Sequence, residues 1–272
     1  MAKAITGALM LALGTAGLAH AGNDTPEFSA KVVQKAPNRA DMTWRIHAGT
    51  VSGNQAIRSE SERGGEKWAQ VTFPEEGRQV LMNLTAKTYQ ERSLPEPPRQ
   101  PAKAAKAESG DSGPCPDVPW VRCEKLDTET VHGRDAVKWR IMRFGKGQPA
   151  RWLVWIDQER DFPVRRVGPD GTYMERRLAK EAAQVNGRQT EKWQTVISRS
   201  NGRSFQSVRW YDPELDMTIK EKREGGFVRE LKNIEVGEQP DKLFQIPDKF
   251  SPAYKARGGN RPPAKRSPSD RT

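Results

Sequence analysis

Two cysteines, Cys115 and Cys123, and three histidines, His20, His47 and His132, are all the thiols and imidazoles in 272 residues. The cysteine spacing is not the C-x-x-C of a redox pair, and two thiols without companion ligands fall short of a zinc site. In an oxidising compartment they form a structural disulfide around a short loop holding Pro116, Pro119 and Trp120. Closing that loop contributes roughly 2.5 kcal/mol, enough to pin a loop but not to hold a domain. His47 falls on the polar side of an alternating run and His132 just before a glycine. They are far apart in sequence, so neither a metal site nor a catalytic triad is expected. No nucleophile elbow, H-E-x-x-H, phosphate loop or dinucleotide fingerprint is present. Carboxylates are common, but none is marked out by an apolar setting. The chemistry points to a protein that binds: no enzyme, no cofactor and no metal are expected.

The net charge of +11 is unevenly placed. Residues 249–272 carry seven Lys or Arg against Asp270, so this tail holds +6 of the total. Lys3 adds one more, leaving +4 for residues 22–248. Beyond Tyr254 the tail is Pro-rich with no aromatics among its basic residues, which argues against nucleic acid. Two uses remain open for it. It attracts anionic lipid head groups, at ~1 kcal/mol per basic residue, or it only solubilises a disordered end.

Residues 1–21 have the layout of a cleaved secretory signal. Lys3 is the charged start, Ala4 to Leu18 the apolar stretch, and Ala19-His20-Ala21 the cleavage site. Gly7, Gly14 and Gly17 interrupt the run, which is shorter than the ~20 residues a membrane span needs. No cysteine adjoins the cleavage site, so a lipid anchor is not expected there. The expected location is the periplasm, with cleavage after Ala21.

What remains must position its side chains on strands. Hydrophobic residues make up 35% and charged residues 30%, so the apolar ones must be concentrated to form a core. They are concentrated by alternation: Met42, Trp44, Ile46 and Ala48; Val80, Met82 and Leu84; Val137, Trp139 and Ile141; Trp152, Val154 and Ile156; and the run Phe205 to Tyr211. Turn residues punctuate them at Ser52-Gly53-Asn54, Gly64-Gly65, Pro169-Asp170-Gly171, Asn201-Gly202 and Gly225-Gly226. Strands spaced by roughly ten residues predict an antiparallel meander. Met174 to Ala183 is the one stretch with the look of a short helix. The fold class is mainly β. Residues 22–92 form the first part of the domain, 93–113 a flexible Pro/Ala/Lys linker, 114–250 the second part and 251–272 a disordered basic tail.

The second part contains a repeat, about 127–178 and 182–234. Val131-His132-Gly133-Arg134 with Lys138-Trp139 recurs as Val185-Asn186-Gly187-Arg188 with Lys192-Trp193. Trp155-Ile156-Asp157 recurs as Trp210-Tyr211-Asp212, and Gly171 with Glu175 as Gly226 with Glu230. Neither unit can bury both faces alone, so the two are expected to extend one curved sheet. The repeated residues serve repeated geometry: Gly for the turn, Trp for packing, Asp to hydrogen-bond the turn backbone.

The block Trp210-Tyr211-Asp212-Pro213-Glu214-Leu215, then Ile219-Lys220, Glu230-Leu231-Lys232-Asn233-Ile234 and Leu243-Phe244-Gln245-Ile246-Pro247, resembles the C-terminal half of the outer-membrane lipoprotein carrier (LolA/LolB-like) superfamily. Ala56-Ile57-Arg58-Ser59-Glu60 is similar to one of its early strands. The resemblance implies a strongly curved antiparallel sheet, an unclosed half-barrel with an apolar concave face that shields acyl chains or senses lipoproteins. The repeat, the Pro-rich insertion and the cysteine pair depart from the carrier pattern.

On this basis Trp44, Ile46, Met82, Leu84, Trp139, Ile141, Trp152, Val154, Trp193 and Phe205 are candidate lining residues, each also suited to ordinary core packing. Arg58 is either a head-group partner or a solvated strand residue. The function expected is a carrier for an acylated or apolar ligand, a lipid or lipoprotein. The alternative is an envelope interaction or sensing module that uses the same sheet to bind a protein.

Overall fold

A computed structural model describes residues 26–94, 114–115, 118–145 and 147–253. The expected signal, nearly all of the linker and residues 254–272 of the basic tail lie outside these. The strands of the first part are β1 (Phe28–Lys35), β2 (Met42–Val51), β3 (Asn54–Arg63), β4 (Glu66–Phe73), β5 (Arg78–Asn83) and β6 (Thr88–Ser93). The second part supplies β7 (Val121–Val131), β8 (Arg134–Arg143), β9 (Ala150–Asp157), β10 (Pro163–Val167) and β11 (Tyr173–Leu178). It continues with β12 (Ala183–Val185), β13 (Arg188–Ser198), β14 (Ser204–Asp212), β15 (Met217–Arg223) and β16 (Val228–Val236). A single 3-10 turn, η1 (Asp241–Leu243), and β17 (Ser251–Pro252) follow.

All seventeen strands join one curved sheet, which is not closed into a barrel. Each strand from β1 to β6 pairs antiparallel with the next. So does each from β7 to β11. Both β11 and the short β12 lie on one edge of β13, which continues through β14 and β15 to β16. The two meanders are joined by their ends: β16 pairs with β1 from Phe28↔Val236 to Lys35↔Val228. The sheet also extends past residue 250, because β17 pairs in parallel with β6.

The expected helix at Met174 to Ala183 is corrected to a strand, a bend and a second strand. Met174, Arg176 and Leu178 pair with Ile197, Thr195 and Trp193, a period of two. Ladders with β10 and β13 hold both edges of β11, and they outweigh the helical preference of Glu-Arg-Arg-Leu.

Three apolar clusters form the core. The first gathers Phe28, Ala30, Val32, Trp44 and Ile46 with Leu215, Ile219 and Leu231, on either side of the β1–β16 ladder. In the second, Ala69, Val71, Phe73, Val80 and Met82 are covered by the segment after β16, which inserts Phe244. That segment is tied down by polar bonds: Glu27 accepts from the backbone N–H of Gln239 at 2.6 Å, and Arg58 Nη1 donates to the Leu243 carbonyl at 2.6 Å. The third cluster holds Val131, Ala136, Trp155, Val164 and Trp193.

The repeat rests on one polar device. His132-Gly133 and Asn186-Gly187 each take two consecutive positive φ angles, 53° and 80° in the first, 53° and 78° in the second. Such a two-residue turn matches strand twist and favours Asn or Gly. The arginine that follows returns to the end of the neighbouring strand. Arg134 grips Asp157 with Nε and, at 2.8 Å, Nη2. Arg188 grips Asp212 in the same way, with Nη2 at 3.3 Å. Both aspartates are 1% exposed, and each caps its own turn by accepting two backbone N–H groups.

A third unit, not apparent in the sequence, lies in the first part. Gly64 and Gly65 have φ of 56° and 81°, Glu66 stands where the arginines stand, and Asn83 replaces the aspartate. Asn83 Oδ1 accepts from Thr85 and Ala86, and its Nδ2 donates to Glu66 at 3.3 Å. Lys87, Asp161 and Asp216 close the three turns at φ of 55°, 51° and 50°.

Candidate functional site

Paired residues on antiparallel strands point to the same face, so strand register arranges side chains in rows. One row crosses six strands: Trp139↔Val154, Val154↔Arg166, Arg166↔Met174, Met174↔Ile197 and Ile197↔Phe205. Ile141↔Trp152 and Val137↔Ile156 flank its β8–β9 end. None of these apolar residues belongs to the three core clusters. Val154 and Met174 are buried, Trp139, Ile141, Trp152 and Ile197 are half-buried, and Phe205 is 44% exposed. The row spans five strand spacings, roughly 24 Å at ~4.8 Å each. Soluble proteins seldom leave so many large apolar groups side by side without a use for them.

The opposite face of the same strands carries a row of charged groups around Trp155 of the third core cluster. Lys138, Trp155, Arg165 and Glu175 are successive cross-strand partners there. Trp155 is buried beneath cations, with Lys138 Nζ 5.0 Å and the Arg165 guanidinium 5.5 Å from its ring, and its Nε1 donates to Glu129 at 2.9 Å. Glu175 collects Arg165, Arg177, Tyr173 and His132 at 2.6–3.0 Å. Burial alone raises the Glu175 carboxyl pKa, but these partners outweigh it and hold it at about 2. Asp157 is likewise opposed by burial and held low by Arg134 and two backbone N–H groups. Each is a settled ion pair, its carboxylate held in the charged form. Among the described residues no cluster of His, Cys, Asp or Glu is arranged to hold a metal.

Next to the open row, on the same face, lies a band of arginines that sequence patterning did not single out. Arg176 pairs with Thr195, and the following row runs Leu178↔Trp193↔Arg209↔Glu221↔Arg229. Glu221 is 1% exposed and meets Arg209 at 3.2 Å, Arg223 at 3.0 Å and Arg229 at 3.6 Å. Burial opposes the charge on Glu221, but Arg223, Arg209 and Arg229 prevail and its pKa is lowered.

The ten lining candidates fall in different places. Trp139, Ile141, Trp152, Val154 and Phe205 share the open row and its flank. Trp44 and Ile46 lie in the first core cluster, Met82 in the second with Leu84 packed against it, and Trp193 in the third with Phe162 edge-on at 4.9 Å. Arg58 is corrected from a solvated strand residue: its side chain is only 9% exposed, bonded to Glu60 and to the Leu243 carbonyl. His47, on the polar side of β2 by alternation, is buried by the same C-terminal segment, its Nδ1 3.0 Å from Gln239 Oε1. Met174 and Ile197 join the row unannounced.

Cys115 and Cys123 form a disulfide with Cα atoms 5.8 Å apart. It fastens the approach to β7, the strand at one edge of the sheet.

No family model and no curated protein matches the chain. Solved structures similar to it include a LolA superfamily protein from Nitrosomonas europaea, at TM-score 0.36 and 13% identity over 82% of this chain and 91% of that one. A putative outer-membrane lipoprotein-sorting protein domain from Vibrio parahaemolyticus has TM-score 0.34 and 10% identity, over 80% and 89%. A DUF1329 family protein from Desulfovibrio piger has TM-score 0.35 and 12% identity, over 82% and 91%.

Proposed function

We propose that this protein is a non-catalytic binding or carrier protein of the periplasm whose ligand lays an acyl chain or other apolar part along the Trp139–Phe205 row. The supporting observation is the row itself: it carries apolar side chains on five of its six strands, with Arg166 on β10 its one charged member, and its apolar residues lie outside every core cluster. Burying a hydrocarbon chain against such a surface contributes ~0.8 kcal/mol per methylene. The disulfide fits an oxidising compartment.

The rival reading, a sheet that docks a protein, would most simply use the edge of β7 that is unpaired among the described residues. That edge is defended: Glu124, Lys125, Asp127 and Glu129 line the strand, and a bulge between Lys125 and Asp127 breaks its register. The open row is therefore the better candidate.

Native mass spectrometry of the full chain isolated from periplasm tests the reading. A carrier arrives with acyl-containing molecules that organic extraction removes, and the emptied protein then binds a fluorescent fatty-acid probe with a change in Trp emission. A protein that arrives empty and ignores the probe, but cross-links to a protein partner in cells, is a docking module.

A further inference from the structure

The arginine band carries more charge than its own chain neutralises. Arg209, Arg223 and Arg229 share one carboxylate, Glu221, and Arg176 lies close enough to Arg209 to feel its charge. Arg176 is the telling member. It is half-buried, its Nε lies 3.4 Å from Thr195 Oγ1, and its guanidinium sits 4.6 Å over the Phe162 ring. Among the described residues no carboxylate is within ion-pair reach of it. Burial and the neighbouring charge of Arg209 hold its pKa down at about 10. Cations grouped this closely repel one another, and Arg176 gains no ion pair in return. A multivalent oxyanion would relieve the repulsion through charge-assisted, paired hydrogen bonds.

The band also stands in the right place. Arg176 is two residues beyond Met174 on β11, and Ser207 and Arg209 follow Phe205 on β14. Its first row is therefore about 7 Å from the apolar row on the same face. We infer that the band receives the anionic head, a phosphate or similar oxyanion, of an amphiphile whose hydrocarbon part occupies the row. This rests on the binding reading given above and narrows it to anionic amphiphiles.

Calorimetric titration of the full, disulfide-bonded chain tests it with three probes: dodecyl phosphate, dodecyl maltoside and inorganic phosphate, the two detergents kept below micelle formation. Dodecyl phosphate is expected to bind about tenfold or more tighter than dodecyl maltoside. Inorganic phosphate is expected to compete with dodecyl phosphate and not with the maltoside. Arg176→Gln should erase the margin and leave maltoside affinity within about twofold, while Arg176→Lys keeps part of the margin. If near-UV circular dichroism shows Arg176→Gln misfolded, Arg223→Gln, whose side chain is 53% exposed, takes its place. Equal affinity for both detergents, or a margin that survives both Gln variants, overturns the inference and leaves the apolar row standing. Phosphate binding with neither detergent bound sinks the row and keeps the oxyanion site.

Discussion

The ring of Phe244 occupies the space that any side chain on Gly49 would need: a Cβ at Gly49 would lie 2.8 Å from two of its carbons. Phe244 is 3% exposed, so the ring has little room to retreat. This contact seats the C-terminal segment on β2. Gly49→Ala should destabilise the protein by about 1–3 kcal/mol through overpacking, and Phe244→Ala by about 3–5 kcal/mol through cavity formation. The double variant should cost less than the two losses added, because the clash vanishes with the ring. Urea unfolding of the four proteins checks this; strict additivity would mean the two residues do not meet.

Glu175 makes stability depend on acid. Its folded pKa of about 2 lies below the ordinary 4.5, so its contribution is complete above about 4.5 and fades as pH falls toward about 2. Glu175→Gln should therefore be markedly less stable than wild type at pH 7, with the gap closing on approach to pH ~2. Denaturant midpoints at neutral, mid-acid and low pH measure it. A gap independent of pH would assign the loss to shape and not to charge.

Glu66 and Asn83 stand where the other two units have Arg and Asp. Asn83→Asp alone places a buried carboxylate beside Glu66 and should destabilise. Adding Glu66→Arg should recover the loss, with a coupling energy of about 1 kcal/mol or more. A thermal-melt cycle decides; absence of coupling would show that the three turns are not interchangeable.

Phe205 separates binding from folding. It is 44% exposed and outside the core clusters, so Phe205→Ser should change stability by about 0.5 kcal/mol or less. Affinity for a fatty-acid probe should nevertheless fall several-fold, as an apolar wall of the row is lost. Unchanged probe affinity would move the site elsewhere.

Strands were legible wherever apolar and polar residues alternate, as in Met42 to Ala48 or Val137 to Ile141, because alternation reports a half-buried pleat directly. Met174 to Leu178 defeated that test, since Arg176 sits on the buried side of the alternation and breaks the apolar signal. The third unit stayed hidden for a related reason: Glu66 and Asn83 keep the turn geometry of Arg134 and Asp157 with other side chains. The lining candidates were right in type, but hydrophobicity does not say what covers a face. Trp44 and Met82 are covered by the chain itself, whereas Trp139 is only half-covered and Phe205 is exposed. Arg58 could not be assigned from its strand, because its partner Leu243 arrives from far along the chain.

The ladder between β1 and β16 sets the order of assembly. β1 is synthesised well before β16, and the partner for its second edge follows roughly two hundred residues later. Until then Val32 and Phe28 belong to an unfinished core, and β1 offers a bare edge to any passing strand. Nascent chains that stall before Val228 leave that edge uncovered, open to aggregation or proteolysis.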